Sequence, residues 1–175
     1  MCFLWLIFSR IPFHFTEICD INKGVNESVK EVDMRYFYLA PEEALNSIYS
    51  DGIKADENGE IRIITLKDDF LMDKFVFDVY AYEILNLDVY CLFQVLDTGI
   101  HGEFSNSGID HIFSDTFKIL KQEIIEKEYI APYGSEAKYE GMGLEVGVFP
   151  VENKEKFTVE YKQKVLEYLN ALDSE

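Results

Sequence analysis

Few side chains in this sequence have the type and spacing that chemistry needs. The histidines are His14, His101 and His111. His101 and His111 flank a glycine-rich stretch with Asp110 and Asp115 close by, and two imidazoles with two carboxylates form a donor set that a divalent metal accepts. Ten residues across a loop is not the spacing of a ligand motif, so two exposed loop histidines are the simpler expectation and no metal is assigned. Asp115 stands apart from the other acids: it falls just after a flexible stretch and just before a strand, a place from which it could point into a cleft. Tyr36, Phe37 and Tyr38 offer ring faces on which nicotinamide or adenine could stack, against the plainer expectation that alternate rings fill a core. Pairs such as Glu42-Glu43 and Asp68-Asp69 are expected by chance among 33 acids, and read as helix-start and strand-end charges. No nucleophile elbow, phosphate-binding loop, dinucleotide glycine fingerprint or zinc-protease histidine pair occurs.

Composition limits what these residues can be part of. A chain of 175 residues, 48% hydrophobic and 15% aromatic, can build a real core and suggests one domain. The formal net charge is −17. Contacts to phosphate need Lys and Arg, so direct binding of nucleic acid or of an anionic membrane is not expected. An acidic surface keeps a cytoplasmic protein apart from its neighbours, and it also suits docking on a basic partner. Cys2, Cys19 and Cys91 are far apart, odd in number and free of any C-x-x-C pattern, which argues against disulfides and zinc and fits a reducing compartment. Cys91, in the run VYCLFQV, reads as a small core residue.

The elements that must position the candidates follow from pattern. The apolar run Cys2–Phe8 is too short to span a bilayer and lacks the basic start and cleavage site of a secretory signal. Residues 1–33 read as an extension outside the core, and 34–175 as a single α+β domain. Arg35–Leu39 reads as a strand, followed by a helix that opens at Pro41 with Glu42 and Glu43 at its positive end, buries Leu45, Ile48 and Tyr49, and stops at Gly52. Asp56–Gly59 is a turn, and Ile61 and Ile63 alternate with Arg62 as a strand does. Phe70–Leu85 carries both helical and strand signals, and its sixteen residues favour a helix. Val89–Leu96 reads as a central strand buried on both faces. Thr98–Gly108 reads as a mobile loop, Phe117–Leu120 as a strand, Gln122–Ile130 as a short connection or strand pair, and Ala131–Gly134 as a turn. Leu144, Val146 and Val148 mark a last strand. Thr158 caps a final helix whose stripe is Tyr161, Val165, Tyr168, Leu169 and Leu172.

The stretch YFYLAPEEALNSIYSDGI, from Tyr36 to Ile53, resembles the opening of the ADP-ribosyltransferase-like superfamily, in which a strand ending in Tyr-His-x-Thr/Ser leads into a helix ending in Ser-Ile-x-x-x-Gly-Leu. Leu45, Ser47, Ile48, Gly52 and Ile53 carry the likeness. Ile63–Leu66, Val89–Val95 and Phe117–Tyr129 resemble later strands of the same family, so the resemblance covers roughly residues 35 to 133. It implies a split, strongly bent β-sheet with peripheral helices. It also implies a nucleotide site for NAD, with Tyr38 and Thr65 at the nucleotide, Asp115 supporting a ribosyl cation, and residues 98–108 as a lid. Tyr38 stands where the family has its ribose-binding histidine. Ile63 or Ile64 falls where it has a ring-stacking tyrosine, and Thr116, beside Asp115, where it has an acid.

Three functions follow from this reading. One is a degenerate domain that kept the fold, lost catalysis and acts as a binding or interaction module. Another is an active NAD-dependent ADP-ribosyltransferase. The third is an acidic decoy for a nucleic-acid-binding protein.

Overall fold

Strand alternation places two cores on opposite sides of one sheet. The computed structural model describes residues 34–67, 73–134 and 147–172. The extension 1–33, Phe70 to Met72, Leu144 and Val146 lie outside the described residues. Strand β1, Met34–Ala40, sends Phe37 and Leu39 into one core and Tyr36, Tyr38 and Ala40 toward the other. Strand β3, Glu60–Lys67, divides in the same way, with Ile64 and Leu66 opposite Ile61 and Ile63. Strand β4, Val89–Val95, puts Tyr90 and Leu92 against Cys91, Phe93 and Val95. Because both faces are covered, β1 and β4 are apolar at nearly every position and β3 at four of the six positions from Ile61 to Leu66, which is why the sequence shows runs rather than strict alternation.

These strands join β5 (Glu103–Asn106), β6 (Phe117–Lys121) and β8 (Val148–Pro150) in a six-stranded sheet of order β5-β6-β3-β1-β4-β8. Every ladder is antiparallel. A separate pair, β2 (Ile53–Lys54) with β7 (Ile124–Ile125), lies over the core of Ile48, Ile53, Ile61 and Phe93. The sheet is bent: the rings of Tyr36 on β1 and Phe104 on β5 stack at 5.5 Å and 8°, although two strands intervene. It is also parted along its length. β1 pairs with β3 through Met34–Phe37, and with β4 through Tyr36–Ala40, while β3 pairs with β6 through Glu60–Ile64. Tyr38 and Ile63 therefore stand where β1 and β3 separate.

One helical layer covers each face. Pro41 precedes a 3₁₀ turn, Glu42–Ala44, that runs into α1, Leu45–Asp51, whose Ile48 is buried. Gly52 ends α1 at φ +87° and ψ 179°, a conformation open essentially to glycine. A Cβ there would collide with the Ile125 carbonyl oxygen. On the other face lie α2, Asp73–Val79, and α3, Val159–Leu172. α2 continues into a wider π-helical turn, Tyr80–Ile84, closed by Leu85 N–H donating to Tyr80 O. Thr158 Oγ1 accepts from Tyr161 N–H at 3.3 Å and caps α3. The protein is thus an α+β fold built on a bent antiparallel sheet with a few helices. Asp33–Glu175 forms one compact unit, which holds all the described residues. Among the described residues no helix is long and apolar enough to cross a membrane.

Four expectations need correction. Thr98–Gly108 is not an open loop: Asp97–Gly99 is a 3₁₀ turn, and Glu103–Asn106 is an edge strand paired with β6. β4 is buried on both faces, yet it lies next to the edge strand β8 rather than at the centre. Along α3, Tyr161, Val165 and Leu166 face the core with Lys162, while Tyr168 is 50% exposed. His111 is not an exposed loop residue, because its ring packs on Phe113 and Phe117 and bonds Glu83.

Candidate binding site

Tyr38 and Thr65 fall on the same face of neighbouring strands. Thr65 pairs directly with Tyr36, and Tyr38 is one same-face position further along β1. Tyr38 packs against Phe93 with ring centroids 6.3 Å apart. Its hydroxyl makes no hydrogen bond to another described residue, and burial pushes the phenol up from its ordinary pKa. Thr65 is differently placed. Its hydroxyl donates to Thr116 O at 3.2 Å and its N–H to the same oxygen at 2.8 Å. That hydroxyl proton is already used within the protein, in a buried position. Asp115 precedes Thr116 in the turn before β6 and is exposed. The fold thus brings Thr65 to within one residue of Asp115 through the Thr116 carbonyl, but it holds the Asp115 side chain in water.

A concave feature lies at the opposite end of β6. A recess of about 210 Å³ is lined by Gly99, His101, Gln122, Ile124, Glu126 and Tyr129. Gln122 builds it. Its side-chain carbonyl accepts from His101 N–H (2.8 Å) and Gly102 N–H (3.1 Å), and its amide donates to Gly99 O (2.9 Å) and Ile124 O (2.7 Å). Both donors and both acceptor positions of the amide are used, so Gln122 is a fixed strut rather than a ligand group. Gly99 and Gly102 are needed for close approach: a Cβ at Gly99 would strike the Tyr129 side chain, and one at Gly102 the Lys121 carbonyl. The rings of His101 and Tyr129 meet edge to face at 6.1 Å and 87°.

Two buried polar centres went unread in the sequence. Asp78 on α2, 3% exposed, accepts from Tyr90 Oη (2.8 Å), Lys74 Nζ (2.9 Å) and Glu152 N–H (3.2 Å). Burial first, and the Asp78 charge second, push the Tyr90 phenol far up. Glu83, in the π-helical turn, accepts two bonds from Lys162 Nζ at 2.6 Å and one from His111 Nε2 at 3.0 Å. Since His111 Nδ1 accepts from Phe113 N–H at 3.2 Å, Nε2 is the nitrogen that carries the proton toward Glu83. Both centres tie elements together: Asp78 bonds Tyr90 on β4 and Glu152 after β8, and Glu83 bonds Lys162 on α3. An acid set between Phe77 and Val79 was the only cue to Asp78; nothing local marks Lys162. Among the described residues, no cluster of His, Cys, Asp and Glu could hold a metal ion. Comparison with protein-family models, curated proteins and solved structures finds no match to this chain.

Proposed function

We propose that this chain is a degenerate domain of the ADP-ribosyltransferase-like type, which binds a partner and transforms no substrate. The bent, parted antiparallel sheet with helices on both faces supports the fold type. The observation that carries the loss of catalysis is the state of Thr65 and Asp115. A ribosyl cation is stabilised by a carboxylate held in a water-poor site, where its charge acts at low dielectric. Asp115 is exposed, and the Thr65 hydroxyl is committed to Thr116. Ile63, buried where a stacking phenol would be needed, offers a nicotinamide no aromatic face. The residues present therefore do not fit NAD as a reacting group, and no catalytic step is derived through it.

Tyr38 favours the active-enzyme reading, because its hydroxyl bonds no other described residue at the place where β1 and β3 part. The decoy reading is weakened by the spread of acids: Glu42, Glu43 and Glu126 stand on one outer layer, Glu160 and Glu167 on the other, all exposed. Titration with NAD at millimolar concentration, followed by a nicotinamide-release assay, separates the readings. The proposal expects no release above the uncatalysed rate. Release that disappears in Tyr38→Phe or Asp115→Asn would establish the enzyme instead.

A further inference from the structure

We infer that the recess around Glu126 receives an arginine side chain from a basic protein partner, an inference that rests on the binding-module reading. Size comes first. Sites for nucleotide- or drug-sized ligands occupy roughly 300–1,000 Å³. About 210 Å³ suits one long side chain and falls below that range. The groups left available come next. Gln122 is fully bonded within the protein, so the lining residues whose polar side chains are left for a guest are Glu126, Tyr129 and His101. None of them bonds another described residue through its side chain. Two rings set nearly perpendicular make an aromatic corner, and the acid Glu126 lines the same recess. A planar guanidinium matches both, since it stacks on an aromatic face and bonds a carboxylate in bidentate fashion. An ammonium matches only the charge.

The rim carries the same sign. Asp97, Glu103, Glu123 and Glu128, each within two residues of a lining residue, are exposed; the cations within the same reach are Lys127, on the turn that follows Glu126, and Lys121, which is paired with Glu60. Such a rim draws in a basic segment, and the recess fixes its register. The floor is rigid, because Gly99 and Gly102 press the 99–102 turn onto Tyr129 and Lys121. Little ordering cost is left to meet on binding.

The test uses the full chain and three small probes: N-acetyl-arginine amide, N-acetyl-lysine amide and the neutral isostere N-acetyl-citrulline amide. Amide chemical shifts are followed by NMR during titration at low salt. The expected result is saturable shifts at Gly99–Gly102, Gln122, Glu126 and Tyr129 with the arginine probe. The lysine probe should bind at least fivefold more weakly and the citrulline probe not detectably. Glu126→Gln should weaken the arginine probe at least fivefold, whereas Glu128→Gln, on the rim, should change it less than twofold. Equal losses from the two variants, or shifts spread over every acidic surface, would mean diffuse attraction and overturn the inference. No arginine response together with no turnover of NAD removes the recess and leaves the module standing; nicotinamide release removes the module whatever the recess binds.

Discussion

Removing Glu83 should cost far more stability than removing the lysine it holds. The Lys162 side chain is 7% exposed and Glu83 28%. Glu83→Gln leaves an ammonium enclosed by apolar neighbours with only a neutral amide to meet it. Breaking a buried pair from one side costs about 3–5 kcal/mol. Water reaches Glu83, so a discounted cost of about 2–3 kcal/mol is expected. Lys162→Met replaces the buried charge by an apolar side chain of similar length and leaves Glu83 with His111 and solvent. That change should cost less than about 1 kcal/mol in either direction. The double variant should match Lys162→Met within about 0.5 kcal/mol, since the uncompensated charge is gone. Urea unfolding at pH 7 with an unchanged m-value reads all three. The reasoning fails if Lys162→Met costs as much as Glu83→Gln, or if the double variant is as unstable as the two single losses added.

The same site has a signature in acid. Burial alone pushes the Glu83 carboxyl up, but bonds and charge from Lys162 and His111 outweigh it and hold the group below its ordinary value of 4.5. A depressed folded value means that the contribution is complete above that value and is lost as pH falls through the folded one. Wild type should thus lose stability more steeply than Glu83→Gln below about pH 4.5, and the two unfolding curves should converge in acid. Gly52→Ala should destabilise by more than about 2 kcal/mol through its φ of +87° and the collision with Ile125 O. Gly59→Ala, at φ +74° with open space around it, should cost about 1 kcal/mol; equal effects in urea unfolding would refute the contact argument. Tyr90→Phe should cost about 2 kcal/mol in the same assay, because a buried hydroxyl bonded to charged Asp78 is lost while Lys74 and Glu152 N–H remain on the carboxylate.

The strands that the sequence announced are those with two apolar faces or an alternating one. β1 and β4 are legible because they are apolar at almost every position, and β3 because Ile61, Ile63, Ile64 and Leu66 are buried. β5 was invisible because all four of its residues, Glu103–Asn106, are exposed and no burial constrains them. A polar edge strand beside glycines has the composition of a loop, and only its pairing with β6 makes it a strand. For the candidate site, Tyr38 and Thr65 were named through the family resemblance, and their common face follows from the pairing of Tyr36 with Thr65 in the sheet. The sequence could not reveal that the Thr65 hydroxyl is spent on a carbonyl 51 residues away. Lys162 is hidden for the same reason: its partner is 79 residues distant, and a lysine beside an apolar stripe reads as solvated.

The π-helical turn explains how buried Asp78 and the more exposed Glu83 serve one purpose. Asp78 and Glu83 are five residues apart, which on a regular α-helix sets them about 140° apart around the axis. The turn over Tyr80–Ile84 admits one more residue per hydrogen-bonded ring and brings Glu83 back toward the side on which Asp78 points. Asp78 then takes the Glu152 N–H just after β8, and Glu83 takes Lys162 on α3. One helical element is thereby tied at two points to the carboxy-terminal segment, which among the described residues gives the sheet the short β8. Apolar contact from Val165, Phe157 and Val151 sets that segment against the core, but it leaves sliding along the helix weakly opposed. The two acids supply what burial lacks, because each bond is lost with a displacement of about 1 Å, whereas hydrophobic contact is non-directional.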